Sequence, residues 1–351
     1  MNQINNKTKQ SDIKQYDQYK QRQQCKQYDS FNNPIDIKLS SLGLHVYDER
    51  QLRALTGLSY AEFIDLLPTF HQLIVCEYKS RKRQKALGSG RIGKLGGFTM
   101  EHSAKKLLAV LIWLKAYPTY DVFGFIVGVQ RSSAQKAIVV LLPILEKTLG
   151  RKIVLPERKI NTVEEFMEKF PGVKDIFVDA TERPIEKPKD PKKRKGVYSG
   201  KKKRTTRKHT VLTDEKERIL ILTKGKIGRR HDKRLAEKAG LFDVLPDYTH
   251  KWVDTGYQGI QNHPKIPPDT IHIPTKATKY HKLTPEEKAE NTVIGSFRVV
   301  VEHAIGHVKR YKASSDIWRG KTMGADDQVM LIASGLWNFH LDHKQFAMNI
   351  Q

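Results

Sequence analysis

Apolar and polar positions follow three regimes along the chain. Residues 1–30 hold eight Gln, three Asn and six Lys/Arg, too polar a stretch to build a core, so residues 1–32 read as a disordered polar, basic arm. Apolar positions return from Asn33. Leu58-Ser59-Tyr60-Ala61-Glu62-Phe63 predicts a helix start, with Ser59 as cap and Glu62 completing a capping box. That helix is expected to end near Pro68. Lys79–Lys94 contains seven Lys/Arg, three Gly and no acid. Residues 79–97 therefore read as an irregular basic linker, either solvated or lying on phosphates. From Ser103 the spacing becomes helical. One helix covers Ala104–Tyr117 and stops at Pro118; a second, capped by Thr119, covers Tyr120–Val127. After the turn Gly128-Val129, a third starts around Ser132 or Ser133 and runs to Gly150. Helix, short helix, Gly-containing turn and longer helix is a helix-turn-helix layout, and three packed helices without a DNA role share it.

Residues 151–172 form a connector with a short acidic helix at Val163–Phe170. Beyond Pro171-Gly172 the period shortens. Asp175–Asp179, His209–Thr213 and Arg218–Thr223 read as strands, the last two joined by the turn Asp214–Glu217. A helix at Asp232–Ala239, short strands at Lys251–Asp254 and Ile271–Pro274, and helices at about Pro285–Lys312 and Ala325–His340 follow. Strands in a meander and then alternating with helices predict an α/β fold, a mixed sheet covered by helices. The organisation expected is an arm (1–32), a small all-α helix-turn-helix domain (33–150), a connector (151–172) and an α/β domain (173–345).

Charge adds a partner to this outline. Among 351 residues, 63 Lys+Arg face 38 Asp+Glu, a net charge of +25, which points to nucleic acid before any other polyanion. Arg183–Lys208 alone holds 13 Lys/Arg and two acids. It reads either as a solvated loop or as a DNA clamp in which Lys201, Lys202, Lys203, Arg204, Arg207 and Lys208 hold phosphates. Arg131 and Lys136, at the start of the third helix, are placed for the major groove. Two cysteines, Cys25 and Cys76, exclude a disulfide scaffold and Cys-rich zinc fingers. The start MNQINNKTKQ is no signal peptide, and the longest apolar run, Leu107–Leu114, is too short to cross a membrane. A cytoplasmic protein, nucleoid-associated if prokaryotic, is expected, with no membrane partner.

The chemistry should lie with three carboxylates. Asp179 ends the apolar strand Ile176-Phe177-Val178, and Asp254 ends Trp252-Val253 ahead of a Gly-rich turn. Apolar residues on both faces of a strand predict a central one, where an acid must face solvent, pair or bind a metal. On a helical wheel with Arg298 at 0°, Glu302 falls at about 40° and Lys309 at about 20°, on the stripe of Val301, Ile305 and Val308. Two strand-end Asp and one helical Glu can converge on a point, and all-oxygen ligands select Mg²⁺ or Mn²⁺. A pair of such ions suits in-line phosphoryl displacement on DNA. His303 and His307 are four apart on the same helix but lie off the Glu302 stripe and lack a third ligand.

Asp179-Ala180-Thr181-Glu182, Asp254-Thr255-Gly256-Tyr257 and the spacing Arg298, Glu302, Lys309 resemble the three blocks of a DDE transposase, most closely the insertion sequence five family, related to Harbinger-type transposases. The likeness spans about residues 50–340. It departs at Gly295, where family members often carry Tyr. The resemblance implies an RNase H-like catalytic domain with Asp179, Asp254 and Glu302 as catalytic metal ligands. It also implies a helix-turn-helix that binds the terminal inverted repeats of the encoding element, and cleavage followed by joining of 3′ ends to target DNA. Synapsis of two ends implies a homodimer or higher oligomer. Arg298 and Lys309 are assigned to orienting Glu302 or holding phosphate. Tyr198-Ser199-Gly200-Lys201 matches a recurring family block. His231-Asp232 resembles a family His-Asp pair, touching DNA or a metal-bound water, although Asp232 as a helix N-cap explains it as well. The alternatives are a non-catalytic regulator derived from a transposase and an endonuclease that cuts without joining.

Overall fold

The computed structural model describes residues 37–38, 45–46, 48–89, 99–320 and 324–348. The polar arm, and residues 90–97 of the basic linker, lie outside these. A two-residue ribbon pairs β1 (Ile37–Lys38) with β2 (His45–Val46). Five helices follow: α1 (Glu49–Thr56), α2 (Tyr60–Ser89), α3 (Met100–Ala116), α4 (Tyr120–Val127) and α5 (Arg131–Arg151). The capping box at α2 forms as expected: Glu62 N donates to Ser59 Oγ at 3.3 Å, and Ser59 N donates to Glu62 Oε2 at 2.6 Å. The helix does not end near Pro68, however, and continues through Ser89, so the first half of the expected linker is helical. Leu66, Leu67, Phe70 and Ile74, buried on one stripe, carry the helix past its proline. Thr119 caps α4 as predicted, accepting from Val122 N. The cap of α5 is Gln130, ahead of either serine. Helices α4 and α5 cross at 91°. No single described helix is long and apolar enough to cross a membrane.

After α6 (Val163–Lys169), the sheet is built from β3 (Asp175–Pro184), β4 (Tyr198–Ser199), β5 (Arg204–Thr213), β6 (Ile219–Leu222), β7 (Lys226–Ile227), β8 (His250–Val253) and β9 (Ile271–His272). The main path is β4-β5-β3-β8-β9, with β6 and β7 also paired to β5. β3 is antiparallel to β5 and parallel to β8, and β8 is parallel to β9. Helices α7 (Pro191–Val197), α8 (Asp232–Lys238), α9 (Pro285–Lys309), α10 (Lys312–Ser315) and α11 (Ala325–Met348) complete the chain. The result is a mixed α/β fold, compatible with an RNase H-like domain.

The apolar strand sequence is central, as its pattern predicts. Phe177 enters one buried cluster, while Ile176 and Val178 enter another on the opposite face. The Phe177 cluster continues without interruption into α9, α11 and helices α1 to α5. Trp113, Trp252 and Trp337 are buried, and Trp318 packs half-buried against the same cluster.

The stretch Arg183–Lys208 is not one open loop. Arg183 and Pro184 finish β3, residues 191–197 form α7, and Arg204, Arg207 and Lys208 belong to β5. Arg183 is 1% exposed. It donates to the carbonyls of Ala313, Asp316 and Asp326 and lies 4.4 Å from the centroid of Trp318. Trp318 stacks on Tyr117, over which Arg319 sits at 4.0 Å while donating to the Tyr117 carbonyl. This ladder joins the end of α3 to the segments around α10. Replacing Arg183 by Met would leave these buried carbonyls without donors. The expected loss is about 3 kcal/mol or more of unfolding free energy, read by urea denaturation; an unchanged midpoint would mean that Arg183 is not a strut.

Candidate active site

The register of two parallel strands creates the site. Val178 on β3 is level with Val253 on β8, so the next residues, Asp179 and Asp254, emerge side by side on strands about 4.8 Å apart. Two positions earlier, on the same face, Phe177 and Trp252 stack at 6.1 Å. Phe297 of α9 stacks on Trp252 at 4.4 Å, laying that helix over this face. The arrangement brings Arg298, Glu302, Ile305 and Lys309 to a cavity of about 290 Å³ also lined by Asp179 and Asp254. The wheel reading of α9 holds for Arg298, while Glu302 and Lys309 line the cavity from exposed positions. Arg298, Val301, Ile305 and Val308 are buried beneath the helix, and Ala304 joins them.

Each aspartate uses one oxygen locally. Asp179 Oδ1 accepts from Ala180 N at 2.7 Å, and Asp254 Oδ1 from Thr255 N at 2.6 Å. Arg298 stands 3.7 Å from Asp254 and 3.9 Å from Glu302, and Lys201 stands 3.9 Å from Asp254. Burial pushes the Asp179 carboxyl above the usual carboxylate range, and the charge of Asp254 adds to this. The Ala180 amide, Arg298 and Lys201 only partly oppose the rise. Burial draws the Lys309 ammonium below its ordinary range, helped by Lys202. Beneath the pair, Tyr257 is wholly buried and its hydroxyl has no partner among the described residues.

Two further acids line the cavity. Glu182 and Asp232 converge on Lys208, whose ammonium lies 3.3 Å and 2.7 Å from their carboxylates. Thr206 also donates to Glu182 at 2.6 Å. Asp232 is not the N-cap of α8, a position held by His231. It packs so close to the Gly256 backbone that a Cβ there would lie 2.9 Å from Asp232 Oδ2, which accounts for glycine at that turn. His231 is exposed and does not line the cavity. Glu182 lies within the Asp179–Glu182 block, but nothing local marks it as a cavity residue. Its position depends on a cross-strand pair with Lys208.

Among the residues assigned to DNA, the structure separates two groups. Lys201 and Lys202 line the cavity, and with Lys203 they form the exposed turn between β4 and β5; Arg204 is exposed at the start of β5. Arg131 and Lys136 are exposed on α5, and Arg131 lies 3.7 Å from Asp121. Arg207 and Lys208 are instead committed inward. Arg207 pairs with Asp326 at 3.0 Å and donates to the Gly225 carbonyl, and Lys208 holds the two acids already described. They are not phosphate contacts, because their charge is spent on buried carboxylates. His303 pairs with Glu217 and His307 stacks on Trp337 at 3.8 Å.

The donor set suits a hard divalent cation in part. Asp179 and Asp254 offer neighbouring oxygens, and their like charges are met only in part by Arg298 and Lys201. Glu302 stays on the rim, its side chain 58% exposed and held by Arg298. Among the described residues no three acidic, His or Cys side chains are gathered closely enough to hold an ion.

An α/β fold with paired acids at its strand ends and a ring of cations fits the class of nucleases, and a family model described as DDE superfamily endonuclease matches residues 178–338. A probable transposase for insertion sequence element IS702 from Microchaete diplosiphon is 31% identical over 238 residues, which is 67% of this chain and 80% of that protein. No solved structure matches. The chain belongs to the DDE transposases.

The raised carboxyl of Asp179 has a consequence for stability. Ionisation costs more in the folded chain than in the unfolded one, so the penalty is present at neutral pH and is relieved as pH falls through the folded value. Asp179→Asn removes the charge at constant volume. It is expected to raise the Tm of the metal-free protein at pH 7, with the gain disappearing in acid. A Tm at pH 7 that falls or stays level would show that Asp179 is not strained.

Proposed function

We propose that the protein is a transposase that binds the terminal inverted repeats of its own element, cleaves the DNA there and joins the freed 3′ ends to target DNA by metal-dependent phosphoryl transfer. The observation that carries this reading is the level placement of Asp179 and Asp254 on parallel β3 and β8, with Arg298 and Glu302 laid across them by α9. The order β6-β5-β3-β8-β9, with β5 alone running against the others, supports an RNase H-like catalytic domain. The Arg298, Glu302, Lys309 spacing supports the insertion sequence five branch.

Asp179 and Asp254 would hold Mg²⁺ or Mn²⁺, with Glu302 completing the set. Such ions supply charge neutralisation and an activated water when bound. Lys201, Lys202 and Lys309 position the scissile phosphate, and Arg298 orients Glu302. The exposed start of α5, with Arg131 and Lys136, reads the element end across the 91° turn from α4. Two ends held together require at least a dimer. The exposed position of Glu302 also leaves room for a DNA-binding regulator without catalysis, which the first test separates.

With Mg²⁺ and duplexes carrying the inverted ends of the element, the wild-type chain should nick at the ends and form strand-transfer products. Asp179→Asn, Asp254→Asn and Glu302→Gln should each lower nicking by about a hundredfold or more while retaining end binding. Chelation should abolish it. Near-normal nicking by one of these variants would remove that residue from the site, and cutting without joined products would leave an endonuclease.

A second expectation concerns sequence preference. Arg131→Ala with Lys136→Ala should reduce the preference for cognate ends over scrambled DNA, by about 1–3 kcal/mol for each lost base contact. A uniform loss on both DNAs in a gel-shift titration would assign these side chains to phosphate.

A further inference from the structure

A cavity of about 470 Å³, larger than the acidic one, opens on the other side of α9. His307 and Arg310 lie about 160° and 100° around the helical axis from Lys309, which faces the acids. Four permanent cations come to this cavity from three elements: Arg50 and Arg53 from α1, Lys115 from α3, and Arg310 at the end of α9. Only one carboxylate lines it, Glu62, and that group is already bound by Ser59 N and His340. Arg53 pairs with Glu49 on the outer side. Among the described residues no acid pairs with Arg50, Lys115 or Arg310. Lys115 rests half-buried, its ammonium 5.6 Å from the Tyr311 ring centroid. Gly57, at φ +82°, leaves the wall open, since a Cβ there would lie 2.7 Å from Tyr311 Oη.

A half-buried ammonium with an arginine beside it and no acid in reach is costly unless an anion enters. Burial and the neighbouring Arg310 draw the Lys115 ammonium below its ordinary range, and burial together with Arg310 and His340 holds His307 down to about 4. A neutral His307 adds no charge of its own at neutral pH, so the permanent cations remain to be met. Arg50, Arg53 and Arg310 are exposed around the opening, within reach of an extended polyanion.

We propose that this cavity is a phosphate site that takes a phosphodiester of a DNA strand and ties helices α1 and α3 to α9 and α11. The assignment of the phosphate to DNA rests on the transposase reading above.

The test uses the full chain and measures duplex binding by fluorescence anisotropy across salt concentrations. Lys115→Gln with Arg310→Gln is expected to make the slope of log affinity against log salt shallower by about two, since each duplex phosphate contact contributes about 0.9. Cognate and unrelated duplexes should weaken by similar factors, and Mg²⁺-dependent nicking at saturating DNA should be unchanged. Lys115→Arg with Arg310→Lys, which keeps the charge, should retain the wild-type slope. If the Gln pair lowers Tm sharply, Arg50→Gln with Arg53→Gln on the exposed face of α1 carries the same measurement. An unchanged slope in the folded variants overturns the proposal. So does calorimetric binding of ATP or inorganic phosphate that the Gln pair abolishes while the DNA slope stays fixed, because the site then serves a free phosphate compound. A wild-type chain that binds DNA but never nicks, with the Gln pair still showing the expected slope change, would sink the transposase reading and leave this site standing.

Discussion

Two carboxylates held level on adjacent parallel strands are the constraint around which the rest of this molecule is arranged. Side chains one strand apart and on the same face repel when both are ionised, and burial, with that repulsion as a smaller addition, raises the Asp179 carboxyl. The chain answers with cations delivered from two directions: Arg298 from the helix above and Lys201 from the hairpin turn beside. The helix is fixed at both levels. Thr284 and Glu287 close a capping box at its start, and Phe297 stacks on Trp252 one residue before Arg298. A shift of one residue in the β3–β8 register would send one aspartate to the opposite face.

The charge of +25 divides into two populations. One is exposed and open to phosphate: Lys201 to Lys203 at the turn, Arg131 and Lys136 on α5. The other is structural. Arg183 replaces a hydrophobic strut with a fork of donors to backbone carbonyls, and Lys208 balances Glu182 and Asp232. Lys251, 1% exposed, donates to the Pro246 carbonyl and is pulled down to about 8 by burial. Buried cations contribute little net stability against a hydrophobic replacement, but losing one partner is expensive. Net charge thus identifies a polyanion as the partner while overstating how many cations can touch it.

The N-terminal helices share one uninterrupted core with α9, α11 and one face of the sheet. The Tyr117–Trp318–Arg183 ladder reinforces that contact. Binding at either end of the molecule therefore bears on a common packed layer, and α9 is its common wall: acids and Lys309 on one side, Arg310 and His307 on the other.

Much of this was legible from the chain alone. Strand and helix placement followed from local period, caps and prolines, signals that act within about four residues. The caps at Ser59 and Thr119, the central position of Ile176-Phe177-Val178 and the α9 stripe of Arg298, Glu302 and Lys309 are all of this kind. Pro68 misled because tertiary burial of Leu66, Phe70 and Ile74 outweighs the lost backbone bond. The membership of the cavity was not legible in full. Asp232 is singled out in the sequence by likeness to a family His-Asp pair, but Lys208, which holds it and Glu182 at the cavity, lies 24 and 26 positions away, and a pairing over that distance leaves no local pattern. The sequence by itself determined which residues could do the chemistry and on which elements they stand. Only the tertiary structure decided which cations are spent inside, which acids face the cavity and where Glu302 rests, because those outcomes depend on strand register and burial, and neither is encoded by near neighbours.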